Sequence, residues 1–207
     1  MNSGIEWLKW VKRIQAIAQT GLAYSKDVYD LERYEELRAL SIEILENYTS
    51  VSADEIKLHF GSETGYATPK VDIRGVVFQD DKILLVREKA DNAWALPGGW
   101  ADIGYSPSEV VVKEIEEESG YITTPKRLLA VLDKKFHNHP PEQYHVYKVF
   151  IQCEIAAGEP KGGVETLEVG FFNREEIPTL SLERNTPAQI QTMFQFLDNP
   201  QKTTIID

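Results

Sequence analysis

Three neighbouring carboxylates set the chemistry this sequence could perform. In GGWADIGYSPSEVVVKEIEEESGY, residues 98–121, Glu114, Glu117 and Glu118 would share an arc of about 100° on a helix that turns about 100° per residue. Glu116 would point nearly the opposite way. Close carboxylates repel, so such a cluster either stays in water or holds a cation. A solvated acidic helix face is the plain reading. Two features favour the cation. The carboxylates lie in the last helical turn, where the dipole disfavours negative charge. They also follow LPGGW, a glycine-rich loop that lets backbone approach a ligand. Oxygen donors of this kind suit a hard divalent ion, Mg²⁺ or Mn²⁺.

The elements that must position these residues can be read from the same stretch. Ser106, Pro107 and Glu109 give an N-cap, a first-turn proline and the partner of a capping box. The helix should run to about Ser119, with Gly120 as its left-handed cap. Val111, Val112, Ile115 and Ser119 form a stripe that can face a core.

The segment resembles the Nudix box, G-x5-E-x7-R-E-U-x-E-E-x-G-U, with U a bulky apolar residue. Gly99, Glu114, Ile115, Glu117, Glu118, Gly120 and Tyr121 match it. Tyr105 stands where the first Glu is expected and Lys113 where Arg is expected. The resemblance implies a metal-dependent pyrophosphohydrolase. Glu114, Glu117, Glu118 and the Gly98 carbonyl would be the metal ligands, and Tyr105 and Lys113 would support them. One carboxylate not saturated by metal would take the proton of the attacking water. The family often recruits a further Glu from outside the box. Glu168 in ETLEVGFF is the first candidate and Glu165 its rival; an exposed strand-start carboxylate is the alternative.

Other residues could serve a substrate. Arg87 and Lys89 could meet phosphate, or could simply end a strand in water. Trp94 and Trp100 flank the glycine loop and could stack on a base or face a quaternary ammonium, or be packing residues. His137 and His139 lie in KKFHNHPPEQYH, residues 134–145. Without cysteine partners they are weak grounds for a transition-metal pair; a substrate-facing, dimer-facing or plain surface loop is expected. Cys153 lies in the strand-like VFIQCEI and reads as a buried apolar residue.

The chain of 207 residues is 42% hydrophobic with a net charge of −11. That size allows one good-sized domain and a small one. The charge argues against broad electrostatic binding of DNA or anionic membrane. A single cysteine suggests a reducing compartment, and no run of 18 apolar residues is present. A cytoplasmic protein is expected.

Residues 1–66 should form a helical N-terminal domain and residues 67–207 the Nudix domain. Ile5, Leu8, Val11, Ile14 and Ile17 recur every three. Val28, Leu31, Tyr34, Leu37, Leu40, Ile44 and Tyr48 recur at three and four. TGLAYSKD would link these helices, Ser52 would cap a short third one, ADEIKLHF, and GSETGYATPK would join the domains. Strands are expected at VDIRGVVF and KILLVRE, a hairpin around QDD, then at RLLAVLD, YHVYKVFIQCEI and LEVGFFN. TPAQIQTMFQFL would be a closing helix. The expected class is α+β, a Nudix-type α/β/α sandwich with a mixed sheet behind a small all-helical domain.

AIAQTGLAYSKDVYDLERYEEL resembles the helical extension of a Bacillus-type branch that includes CDP-choline pyrophosphatases, some of which also trim RNA from its 3′ end. That resemblance implies a CDP-alcohol such as CDP-choline as substrate, with ADP-ribose or a nucleotide sugar as the alternative. A non-catalytic nucleotide-binding regulator is the reading from another class. It would need a DNA-binding module, and the first 66 residues carry 7 Lys and Arg against 11 Asp and Glu, 7 − 11 = −4, a poor charge for DNA. So small a helical core is marginal alone. It should pack on the Nudix domain or, in a homodimer, on a second subunit, with Trp7, Trp10 and the Leu31–Tyr48 stripe partly buried.

Overall fold

A computed structural model describes residues 3–49, 56, 61 and 63–207. The expected helix ADEIKLHF lies, apart from Ile56, outside the described residues. The chain divides into two compact units: Met1–Pro69 with Pro141–His145, and Lys70–Pro140 with Val146–Asp207. Among the described residues no helix is long and apolar enough to cross a membrane.

In the first unit, α1 (Ser3–Tyr24) and α2 (Val28–Tyr48) are joined by only three residues. Trp7 meets Tyr48 with ring centroids 5.3 Å apart, and Gly21 lies against the Tyr34 ring, so the helices run antiparallel. The expected linker is therefore shorter than TGLAYSKD. Thr20–Tyr24 stays helical because Gly21 admits the Tyr34 ring, which a Cβ would meet at 2.4 Å. Asp27 caps α2 by accepting the N–H groups of Tyr29 and Asp30. Leu8, Val11, Ile42, Leu45 and Ile56 form the small core. Ile17 is exposed, against expectation. A three-residue repeat drifts by about 60° per step around a helix, so the buried face passes instead through Gln15, Ala18 and Gln19. Trp10, Val28 and Tyr48 are also exposed in this chain.

The second unit is built on β1 (Lys70–Gln79), β2 (Lys82–Glu88), β3 (Trp94–Ala95), β4 (Gly98–Trp100), β5 (Tyr121–Asp133), β6 (Val146–Gly158), β7 (Thr166–Phe172) and β8 (Ile205–Ile206). They form one mixed sheet in the order β3-β2-β1-β6-β5-β8, with β4 on β1 and β7 on β2. β1 runs parallel to β6, and β5 to β8; the other pairs are antiparallel. Asp80 and Asp81 turn the β1–β2 hairpin with φ of 50° and 60°, a left-handed pair that Asp tolerates better than most residues. β5 starts directly after Gly120, upstream of the expected RLLAVLD, and shifts register around Pro125; proline enters strands at such bulges.

Alternation along the strands gives the sheet two apolar faces. Ile73, Val77, Leu84, Ile151 and Cys153 pack against Val110, Val111 and Ile115 of α3 (Pro107–Ser119). Val76, Leu85, Leu132 and Phe150 pack against Ile190, Met193, Phe194 and Phe196 of α4 (Pro187–Asp198). Each helix starts with a capping box and an early proline. The α/β/α sandwich is as expected, but α4 does not close the fold. β8 follows it and extends the sheet at β5. Strands of two or three residues carry no periodicity, which is why β3, β4 and β8 were not legible.

Candidate active site

α3 holds the three glutamates, and both its ends are fixed. At the start, Ser106 Oγ accepts the Glu109 N–H at 3.3 Å and Glu109 Oε2 accepts the Ser106 N–H at 2.8 Å. At the end, Gly120 is left-handed, φ +77°, and donates to Glu116 O at 2.9 Å. The last carbonyls of a helix need outside donors. Thr166 Oγ1 donates to Glu118 O at 2.7 Å, and the Lys161 N–H donates to Ser119 O at 2.8 Å. Gly163 presses on the same turn: a Cβ there would lie 1.9 Å from Glu117 O.

The glycine strand β4 faces α3 from β1, with Arg74 opposite Gly98 and Ile73 opposite Gly99. Gly98 has φ +143°, and a Cβ on it would lie 2.0 Å from Ile73 O. Only glycine allows that approach. The Gly98 N–H donates to Glu118 Oε2 at 2.8 Å. Gly99 leaves space for Glu114, whose Oε2 would be 3.1 Å from an added Cβ. The glycine pair and the helix are thus one assembly: one glycine holds a carboxylate, the next makes room for another.

The electrostatics differ along the cluster. Glu118 is buried, and burial pushes its carboxyl up to about 8 against the pull of Arg74 and the Gly98 N–H. Burial also raises Glu114, with Lys113 opposing. Glu117 is exposed. Lys113 Nζ lies 3.2 Å from Glu117 Oε2, 3.5 Å from Glu114 Oε1 and 3.8 Å from Asp102 Oδ2. The hydrogen bond to Glu117, then the charge of Glu114, raises the Lys113 ammonium above its ordinary value. An ammonium therefore sits among carboxylates that would otherwise repel. The donors are all oxygen, and their fields sum on a cation, so the residues fit a hard divalent ion. Among the described residues no three His, Cys, Asp or Glu side chains converge closely enough to hold a metal by themselves. Mg²⁺ tolerates such a set because it keeps waters and substrate phosphate as ligands.

The remaining expected site residues are placed elsewhere. Glu168 is paired with Arg87 at 2.6 Å. Its neighbours Val169 and Phe171 pack on the α3 face, so by strand alternation Glu168 emerges on the other. It is not among the α3 carboxylates. Glu165 is exposed, and its carbonyl accepts the Lys89 N–H at 2.9 Å. Lys89 Nζ donates to Val164 O at 2.5 Å and Gly163 O at 3.3 Å, so this ammonium ties down the loop behind α3. Trp94 packs edge-on against Phe172, centroids 4.7 Å apart, beside the α4-side core. Trp100 and Tyr105 are both about half exposed. His137 Nε2 pairs with Asp207 at 2.9 Å, while His139 Nδ1 donates to Leu182 O at 2.7 Å. Separate partners take the two imidazoles away from a shared metal. The loop itself is divided: Pro141–His145 belongs to the helical unit, where Tyr144 O accepts from Lys12 Nζ at 2.7 Å. Cys153 is buried, and burial pushes its thiol up to about 12, which makes it a poor nucleophile.

Sequence reasoning missed a buried charge network. Asp72 and Lys148 sit opposite each other in the β1–β6 register and form an ion pair. Asp72 also pairs with Arg74 Nε at 2.8 Å. Burial would raise the Asp72 carboxyl, but its two cations outweigh that and lower it. One negative charge faces two positive ones, and burial, with Arg74, holds Lys148 down to about 8 against the pull of Asp72. Arg74 lies within the field of Glu118 and Glu88, and buried Glu88 meets Arg184 Nε at 3.0 Å. A signal was available: charges at Asp72, Arg74 and Lys148 interrupt otherwise apolar strands.

The chain belongs to the Nudix family: residues 68–196 match the NUDIX domain. It is a hydrolase acting on phosphoric anhydride bonds. Residues 6–60 match a second family described as a UDP-X-like, N-terminal oligomerisation domain. A Bacillus subtilis (strain 168) protein provisionally named as the ADP-ribose pyrophosphatase YjhB is 54% identical over 98% of this chain and 97% of its own. The crystal structure of an ADP-ribose pyrophosphatase from Streptococcus suis 89-1591 shares 41% identity. It covers 68% of this chain and 100% of its own, with a TM-score of 0.61. A crystal structure of a UDP-X diphosphatase shares 35% identity over 99% of both chains, with a TM-score of 0.63.

Proposed function

We propose that this protein hydrolyses the pyrophosphate of a nucleoside diphosphate linked to X, with ADP-ribose as its first substrate, giving AMP and ribose 5-phosphate. The observation that carries the reading is the glycine pair joined to the α3 carboxylates, Gly98 N–H to Glu118 and Gly99 beside Glu114. The full-length likeness to a protein named for ADP-ribose supports the choice of X. CDP-choline, which the N-terminal resemblance suggests, is the second reading, and RNA 3′ ends a further substrate to test.

Glu114, Glu117 and Glu118, with the Gly98 carbonyl, would hold Mg²⁺ or Mn²⁺. The bound ion would neutralise phosphate charge and acidify the attacking water. Lys113 would give up its place among the carboxylates and turn to substrate phosphate or to Asp102. Arg87, paired with Glu168 on the sheet face away from α3, would offer its planar donor to the part of the substrate furthest from the metal. Residues 1–66 would assemble a homodimer, as the oligomerisation-domain match supports, leaving residues 67–207 to do the chemistry. A cytoplasmic place of action belongs to the same reading.

The test is a panel of ADP-ribose, CDP-choline, UDP-glucose and a short RNA, each with Mg²⁺ and with Mn²⁺, the products separated by chromatography. ADP-ribose should be cleaved with the highest kcat/KM. A higher value for CDP-choline would move the assignment to CDP-alcohols. No cleavage of any of them, with nucleotide still bound, would leave a regulator instead of an enzyme.

A further inference from the structure

The Gly98 peptide holds Glu118, and the segment before it is held in turn. Leu96, Pro97 and Gly98 carry no side chain that could anchor them by hydrogen bonds. Their backbone is gripped from two sides. From β1, Arg74 Nη1 donates to Leu96 O at 3.1 Å, and the Gly75 N–H donates to Pro97 O at 2.8 Å. From the turn before α4, Asn185 Oδ1 accepts the Leu96 N–H at 2.9 Å. That contact spans 89 positions of sequence and is buried.

Asn185 is itself fixed. It is 0% exposed, its N–H donates to Ser181 O at 2.8 Å, and the Ser181 N–H donates to Trp94 O at 2.8 Å. Thr186, the next residue, caps α4. The Nδ2 donor of Asn185 is buried, with no hydrogen-bond partner among the described residues. An orphaned buried donor is costly. A small apolar residue would avoid that cost, and the amide oxygen is what such a residue could not supply.

We propose that Asn185 is a positioning residue for anhydride hydrolysis. Its Oδ1 fixes the Leu96 N–H, and through Leu96–Gly98 it fixes the peptide N–H that aims the Glu118 carboxylate. The layer of the sandwich opposite α3 thereby helps set the geometry of the α3 carboxylates. Outer contacts of this kind, when removed, change metal affinity or activity by about 10–100-fold. The inference rests on the site assignment made above.

Its test combines readouts that need no substrate with one that does. In Asn185→Ala, amide exchange at Gly98 should quicken by at least about tenfold through local opening. Mn²⁺ binding, followed by titration calorimetry, should weaken by about tenfold or more. On whichever substrate the panel selects, kcat should fall by about tenfold or more with KM within about twofold. Asn185→Asp keeps the acceptor and should retain Gly98 protection, Mn²⁺ affinity and most of kcat; it also serves if the Ala variant fails to fold. Phe194→Leu, in the α4 core beside Phe78, controls for general destabilisation and should alter none of the three at a matched Tm loss. Unchanged Gly98 exchange in Asn185→Ala overturns the proposal. So does an Asp variant that loses kcat while Gly98 stays protected, or a Phe194→Leu variant that reproduces the same losses. Failure of every substrate in the panel would sink the proposed function, yet the exchange and Mn²⁺ results would still decide this point.

Discussion

Two groups of charges in this protein obey opposite rules. The outer group is Lys113 with Glu117 and Asp102, open to water, and Glu114, which is partly buried at its inner edge. The inner group is Asp72, Arg74 and Lys148, all buried in the sheet and bordered by Glu118 and Glu88. Exposed ion pairs are worth about 0–1 kcal/mol, because water and salt screen them. Buried charges are strongly coupled, because no solvent replaces a lost partner. The outer group can therefore exchange one cation for another at little cost to the fold. The inner group can only hold a shape. Glu117 and Glu118 are adjacent in sequence yet belong on opposite sides of this line, the first exposed, the second buried and hydrogen-bonded to Gly98.

The largest effect should come from the inner group. Asp72→Ala leaves Arg74 and Lys148 buried without their shared carboxylate, and about 3–5 kcal/mol of stability should be lost. Urea unfolding measures it. A loss under about 1 kcal/mol, the size of a surface pair, would break the comparison. Next come the α3 carboxylates. Glu117→Gln and Glu118→Gln should each lower turnover by at least about 10²-fold, since Gln keeps the size and removes the charge that a divalent ion needs. Stability should separate the two. Glu118→Gln replaces a carboxyl that burial already drives towards its neutral form, so Tm should hold or rise. Glu117→Gln should leave Tm unchanged. Wild-type turnover in both variants, with metal binding intact, would remove these residues from the site.

The same division decides what could be read from sequence. α3 was legible in full because its signals are all local: Ser106, Pro107 and Glu109 at its start, the glycine pair Gly98 and Gly99 just upstream, and its cap Gly120. The β1–β2 hairpin and α4 announced themselves in the same way. The inner network was not legible, because pairing Asp72 with Lys148 requires knowing that β1 and β6 lie parallel and in that register. Asn185 and Leu96 are likewise joined only by the fold. Nor could spacing alone place Glu168: its pairing with Arg87 follows from the β2–β7 register. In the helical unit, the three-residue repeat suggested one continuous stripe, but its drift around α1 leaves Ile17 exposed.

A smaller effect should appear in acid, at the edge of the inner group. His139 donates to Leu182 O, and burial, then the neighbouring cations Lys148, Lys134 and His137, hold its imidazole down to about 4. The unfolded chain would take up that proton near 6.5. Between those values the unfolded state binds more protons, so stability falls as pH drops. The contribution is complete above about pH 6.5 and is lost progressively towards pH 4. His139→Gln should flatten that part of the acid limb. Unfolding free energies of both proteins at neutral and mildly acidic pH measure the difference. Parallel profiles would show that His139 does not sense the inner group.

The smallest effect is a control within α3 itself. Glu116 lies between the box carboxylates in sequence but is exposed, on a helix position nearly opposite to theirs. Its part in the structure is its backbone, whose carbonyl accepts the Gly120 N–H at 2.9 Å. Substitution of the side chain does not touch that bond. Gln also has nearly the helix propensity of Glu. Removing one of several acidic groups from the last turn slightly relieves the helix dipole. Glu116→Gln should thus change stability by no more than about 0.5 kcal/mol, towards greater stability if at all, and leave kcat and KM within about twofold. Side-by-side melting curves and initial rates with Glu117→Gln decide it. If Glu116→Gln were as damaging as Glu117→Gln, total negative charge would matter more than its direction. The assignment of function to one face of α3 would then fail.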